Sequence, residues 1–255
     1  MEKIFILSGA RKLSAVIHKP SGSAEKLAVL LSGKLDSKDY AHLFALAEKL
    51  SELGFFALRF DPTGTWESEG EIKDFTVSQY LRDVKAAIDY AENEREKFGE
   101  IVLLGHSLGG MVAIIYGAQD RRISAVAAIM PPEATMRSEE SEKRWRERGF
   151  SISKRDLPRD PGQKRIFSVP YSYYEDARKY SALASAPNFK NPLLLITGEL
   201  DDIVLPERVQ KIYEAANEPK KFVMLKDIEH NYRLHDGEIN VVNNAVADFL
   251  KEYKL

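Results

Sequence analysis

Ile101-Val102-Leu103-Leu104-Gly105-His106-Ser107-Leu108-Gly109-Gly110-Met111 reads as a buried strand passing through a tight turn into a helix. Ile101 to Leu104 is an unbroken apolar run, which suits a strand covered on both faces. Met111 to Ala118 continues as the helix. Within the turn, Gly105 to Gly109 fits Gly-x-Ser-x-Gly, a weak motif alone that gains meaning from lying between a strand and a helix. A serine there must adopt a strained backbone conformation, and the flanking glycines let strand and helix approach. Its hydroxyl would project at the carboxyl edge of the sheet, where open α/β folds bind ligands. The competing reading, a glycine-rich phosphate cradle, lacks the Gly-x-x-x-x-Gly-Lys-Ser/Thr of a nucleotide loop.

The surrounding chain repeats the alternation. Eight strands are expected at 4–7, 13–18, 27–31, 55–60, 101–104, 123–130, 192–197 and 221–225, the first two joined by a tight connection at Ser8 to Arg11. Helices are expected between them, at Tyr40 to Leu53, from Val77 through Ala91, at Met111 to Ala118, at Glu207 to Ala216 and at Ile239 to Tyr253. This argues an α/β fold with a mostly parallel sheet and right-handed crossovers.

One stretch breaks the rhythm. Residues 131–187 are rich in charge and aromatics, with an exposed helix expected at Glu139 to Arg148 and short paired strands at Phe150 to Ile152 and Arg165 to Val169. So long an excursion is usually functional or an inserted subdomain. The expected organisation is a core of 1–130 and 188–255, with 131–187 inserted as a lid.

Composition excludes several classes. The 255 residues carry 37 Lys+Arg against 39 Asp+Glu, a formal charge of −2, and no cysteine. Mixed, near-neutral charge removes the footprint of a nucleic-acid binder. Zero cysteine excludes disulfides, thiolate metal sites and a cysteine nucleophile. No apolar run approaches the roughly 18 residues of a membrane span. Ile4 to Leu7 is too short for a signal-peptide core, so a cytoplasmic location is expected. A homodimer is allowed.

A serine hydroxyl needs a base to take its proton and a carboxylate to orient that base. Gly198-Glu199-Leu200-Asp201-Asp202-Ile203-Val204 follows the strand ending at Thr197, and Lys226-Asp227-Ile228-Glu229-His230-Asn231-Tyr232 follows the strand ending at Leu225. Both loops lie at the sheet edge that carries Ser107, in the order serine, acid, histidine. His230 and His235 lack the Glu of a zinc-protease helix, so no metal site is expected.

The chain resembles the α/β-hydrolase superfamily, and within it the small capped serine carboxylesterases, among them cinnamoyl-esterase-like and monoacylglycerol-lipase or serine-aminopeptidase-like members. The resemblance implies Ser107 as nucleophile, Asp201 as triad acid with Asp202 its rival, and His230 as general base. Those families write His-Gly-x after the third strand, x donating a main-chain N–H to the oxyanion. This chain writes Ser32-Gly33-Lys34, so Lys34 takes the donor position and the N–H of Leu108 is the second donor. Phe60-Asp61-Pro62-Thr63-Gly64-Thr65-Trp66-Glu67-Ser68 similarly resembles the family's Asp-x-x-Gly-x-Gly-x-Ser segment and is expected to shape the pocket.

The implied activity is cofactor-free cleavage of short-chain or aromatic carboxylic esters of small molecules through an acyl-enzyme. Met136, Trp145, Tyr171, Tyr173 and Tyr174 are the expected substrate-binding groups of the lid; the three tyrosines are equally readable as lid core. His106 is expected to pack. A peptidase or amidase of the aminopeptidase type, or a non-catalytic ligand-binding homologue, remains the alternative.

Overall fold

The computed structural model describes residues 1–255 apart from 95–97, 136–137 and 159. In chain order the elements are β1 (Glu2–Ser8), β2 (Arg11–His18), β3 (Lys26–Leu31), α1 (Ala41–Glu52), β4 (Phe55–Phe60), α2 (Val77–Glu94), β5 (Glu100–His106), α3 (Leu108–Gly117) and β6 (Ala125–Ile129). Then come α4 (Glu139–Arg148), β7 (Phe150–Leu157), β8 (Asp160–Pro170), α5 (Tyr171–Ala177), α6 (Ala182–Ser185), β9 (Leu193–Gly198), α7 (Pro206–Ala215), β10 (Lys220–Leu225) and α8 (Asp236–Glu252).

Eight strands form one sheet in the order β1-β2-β4-β3-β5-β6-β9-β10. β1 pairs antiparallel with β2, and β2 antiparallel with β4; the rest of the sheet is parallel. The unbroken apolar runs explain the centre. β3, β4, β5, β6 and β9 are buried almost throughout because helices cover both faces. α1 and α8 pack one face through Leu43, Leu46, Leu50, Val242, Val246 and Phe249. α2, α3 and α7 pack the other through Tyr80, Val84, Ile88, Val112, Ile115, Val209 and Ile212.

The register brings the carboxyl ends of the parallel strands into line. Leu31 pairs with Gly105, His106 with Ile129, Ile129 with Ile196, and Leu225 with Gly198. The loops after β3, β5, β9 and β10 therefore leave from one edge.

Residues 131–187 leave β6 at that edge and hold α4, a β7–β8 antiparallel hairpin, α5 and α6 before β9. The hairpin strands are longer than the alternation indicated: Phe150–Leu157 is mostly half-buried and Asp160–Pro170 mostly exposed, so apolar periodicity marks only their inner ends. α5, which the sequence pattern did not signal, docks on α2 through Asp176, whose carboxylate accepts from the Ser78 amide at 2.8 Å and from its hydroxyl at 2.5 Å. Among the described residues, no helix is long and apolar enough to cross a membrane.

Candidate active site

Ser107 stands at the N-cap of α3 with φ 53° and ψ −119°. A non-glycine residue in this region costs on the order of 1–3 kcal/mol and persists only where its surroundings enforce it. Two glycines do so. A Cβ on Gly105 would lie 2.3 Å from the Gly109 carbonyl, and one on Gly109 would lie 2.2 Å from the Leu31 carbonyl oxygen. Only glycine therefore lets α3 start directly against β5 and β3. The Ser107 amide donates to the Ile129 carbonyl at 2.8 Å, which pins the turn to β6.

His230, in the loop after β10, reaches Ser107: Nε2 lies 3.0 Å from the hydroxyl oxygen. On the ring's far side Nδ1 lies 2.8 Å from Asp201 Oδ2. The other Asp201 oxygen accepts the main-chain amides of Ile203 at 2.9 Å and Val204 at 2.8 Å. The loop after β9 thus holds the buried carboxylate with its own backbone. Asp202 is exposed, as is His235, and neither takes part in this chain of contacts.

Leu108 is the first residue of α3, so its N–H belongs to the helix start, where amides have no intrahelical acceptor and the dipole favours an anion. Lys34 follows β3 beside that turn, and both residues line the same cavity as Ser107. The loop that carries Lys34 is braced from several sides. Trp66 donates its indole N–H to the Leu35 carbonyl at 2.9 Å, and Arg155 donates to the Lys34 carbonyl at 2.7 Å. Asp61 accepts the Lys38 amide at 2.8 Å, while the fully buried Lys38 ammonium reaches Asp61, Asp39 and Glu67 at 3.1, 2.9 and 2.6 Å. The Asp61 to Glu67 segment therefore supports the Lys34 loop through Lys38, and none of its residues is among those lining the cavity.

Beneath His230 lies a buried polar group. His106 stacks with ring centroids 4.9 Å from His230 and 5.4 Å from His42. Asp36 Oδ2 is 3.9 Å from His106 Nδ1. Both nitrogens of His42 and of His106 lack hydrogen-bond partners. Burial, and next to it His106, pushes His42 down to about 3. Burial also lowers His106, so both rings are neutral near pH 7. Burial alone would raise Asp36, yet His106 and Arg155 outweigh it and hold the carboxyl below its usual range. Among the described residues, Asp36, His42 and His106 place metal-ligating atoms within 4.8 Å of one another. The Arg155 guanidinium, 3.8 Å from Asp36, meets the carboxylate's charge there.

The cavity beside Ser107 measures about 230 Å³ and is lined by Lys34, Leu108, Pro132, Ala134, Thr135, Tyr173, Ile203, Val204 and Arg208. Of the expected substrate-binding aromatics, Tyr173 lines it. Trp145, Tyr171 and Tyr174 stand behind: the three rings pack on one another, Trp145 donates to the Val169 carbonyl at 3.0 Å, and both tyrosine hydroxyls meet the Glu142 carboxylate at 2.9 and 3.1 Å. Met136 lies outside the described residues. Sequence reasoning missed Arg155 and Arg208. Neither carries a local signal, because a hairpin fold and a helix start bring them to the site.

A family model described as serine aminopeptidase, S33, matches residues 22–147. The chain is 24% identical over 235 residues to the mitochondrial palmitoyl-protein thioesterase ABHD10 of Mus musculus, covering 87% of this chain and 74% of that protein. Among solved structures it is similar to Est1E from Butyrivibrio proteoclasticus with ferulic acid bound, at TM-score 0.78 and 24% identity over 98% of both chains. Mouse ABHD10 superimposes at TM-score 0.77, with 21% identity over 99% of both chains. The chain has the α/β-hydrolase fold.

Proposed function

We propose that the protein is a serine hydrolase of carboxylic esters with short or aromatic acyl groups. One observation carries this reading: Ser107, His230 and Asp201 form an unbroken chain of contacts at 3.0 and 2.8 Å. His230 takes the Ser107 proton as the oxygen attacks the ester carbonyl, and Asp201 holds the ring with Nε2 facing the hydroxyl. The main-chain N–H groups of Lys34 and Leu108 stabilise the negative oxygen that develops. The C–O bond to the alcohol breaks, His230 returns its proton to the leaving oxygen, and an acyl group remains on Ser107. Water, deprotonated by His230, then releases the acid. No step calls for a cofactor.

The cavity bears on acyl size. About 230 Å³ lies below the roughly 300–1,000 Å³ usual for sites of drug-sized ligands, which favours short or aromatic groups over a long lipid chain. Residues 131–187 act as the lid, since Pro132, Ala134, Thr135 and Tyr173 line the cavity. An aminopeptidase must hold a substrate's ammonium group with a carboxylate. Among the described residues, no acidic side chain lines the cavity.

A series of para-nitrophenyl esters from acetate to palmitate, with feruloyl and aminoacyl substrates added, tests the reading. Short or aromatic esters are expected to give the highest kcat/KM, and Ser107→Ala to abolish their turnover. Preference for palmitate or for aminoacyl amides would contradict it.

A further inference from the structure

Two cationic side chains from separate elements line the cavity beside Ser107. Lys34 comes from the loop after β3 and Arg208 from the first turn of α7. The Lys34 ammonium lies 4.6 Å from the Tyr173 ring centroid and 5.2 Å from that of Trp145, so aromatic faces hold it. Pro132, Ala134 and Val204 add apolar wall to the same cavity. Fixed positive charge in a partly desolvated pocket attracts an anion far more strongly than the same charge in open water.

The acyl part of the substrate is what this cavity faces. Lys34 and Leu108, whose amides would hold the carbonyl oxygen, are in its wall, while His230 is not among the described residues that line it. The leaving alcohol departs on the side of His230, which must protonate it. The acyl chain is left to enter the cavity.

Resting on the serine-ester reading, we propose that the substrate is an ester of a dicarboxylic acid, whose acyl chain ends in a free carboxylate held by Lys34 and Arg208. The apolar wall takes the methylene stretch, and the two cations take its far end. Cleavage follows the same bond changes as above: the alcohol leaves with the His230 proton, and water releases the dicarboxylate from Ser107.

The test compares three para-nitrophenyl esters of equal chain length: hexanoate, the adipate half-ester, and 6-(trimethylammonio)hexanoate. The adipate half-ester is expected to exceed hexanoate by about tenfold or more in kcat/KM, with the cationic ester slowest, and the preference should shrink in high salt. Arg208→Gln and Lys34→Gln should each pull the adipate-to-hexanoate ratio towards unity, and Arg208→Glu should favour the cationic ester. Each variant supplies its own internal ratio, so a partly unfolded preparation does not blur the result. Hexanoate turned over as well as adipate, or a ratio unmoved by both Gln variants, overturns this inference while leaving the ester reading intact. Turnover of none of the three overturns both.

Discussion

The Arg155 guanidinium, on the hairpin strand β7, donates at 2.7 Å to the main-chain carbonyl of Lys34, 121 positions earlier in the chain. Its neighbour is stitched down as well: the Tyr40 hydroxyl donates to the Asp156 carbonyl at 2.9 Å, and Arg233 meets the Asp156 carboxylate at 2.7 Å. The inserted hairpin and the loop that carries Lys34 are thus one mechanical unit. On the proposed mechanism Arg155 is a positioning residue, touching the Lys34 carbonyl and lying 3.8 Å from Asp36.

Arg155→Met is therefore expected to lower kcat by about tenfold with little change in KM, because a misplaced oxyanion donor weakens the transition state more than the bound ester. Arg155→Lys should recover part of the loss. Steady-state kinetics on a neutral ester checks this, and an unchanged kcat in the Met variant would detach the hairpin from the chemistry.

Asp201→Asn and His230→Ala should each cut kcat by about 10⁴-fold, as the loss of a base or its orienting carboxylate does elsewhere. Asp202→Asn and His235→Ala should stay near the parent rate, since both residues are exposed and apart from the Ser107–His230–Asp201 contacts. Parallel kinetics on the four variants distinguishes the pairs. A sensitive Asp202 would mean that the loop after β9 presents the other carboxylate.

The lid aromatics should divide by position. Tyr173 lines the cavity, so Tyr173→Ala is expected to alter acyl preference mainly through KM. Trp145 is buried behind it and donates to the Val169 carbonyl, so Trp145→Ala should destabilise by about 3–5 kcal/mol. Tyr171→Phe and Tyr174→Phe, which lose a hydroxyl contact to Glu142, should leave the substrate profile intact. An ester panel and thermal melts on the four variants read this out.

Much of this was legible along the chain and some was not. β3, β5, β6 and β9 announce themselves because burial on both faces demands continuous apolar runs, and Gly105-x-Ser107-x-Gly109 is legible because only glycine fits the two close approaches. Asp201 and His230 were recognisable by their loops at strand ends. The outer hairpin was less so, since Lys154, Lys164 and Arg165 are exposed and carry no apolar period. The contacts around Lys34 were invisible for another reason. Lys38, Asp61, Trp66 and Arg155 meet only through non-local contacts, and no spacing rule relates them.

The buried histidines give the fold a pH dependence of definite sign. His42 is held neutral, its value pushed down to about 3 by burial and by His106. The unfolded chain takes up that proton near 6.5, so the stability it affects is complete above 6.5 and declines as pH falls towards 3. The slope from this group approaches about 1.4 kcal/mol per pH unit. Thermal or urea melts between pH 7 and pH 4 should fall less steeply in His42→Phe than in the parent. Identical slopes would show that His42 shares its proton affinity between the folded and unfolded states.

The account stands on Ser107 being a nucleophile activated by His230, and covalent capture tests that most directly. Intact-mass measurement after treatment with a fluorophosphonate should give one adduct per chain, mapped by peptide sequencing to Ser107. Labelling should be lost in Ser107→Ala and slowed by orders of magnitude in His230→Ala. A chain that stays unlabelled while folded, or one that labels at another residue and keeps labelling in Ser107→Ala, would contradict it.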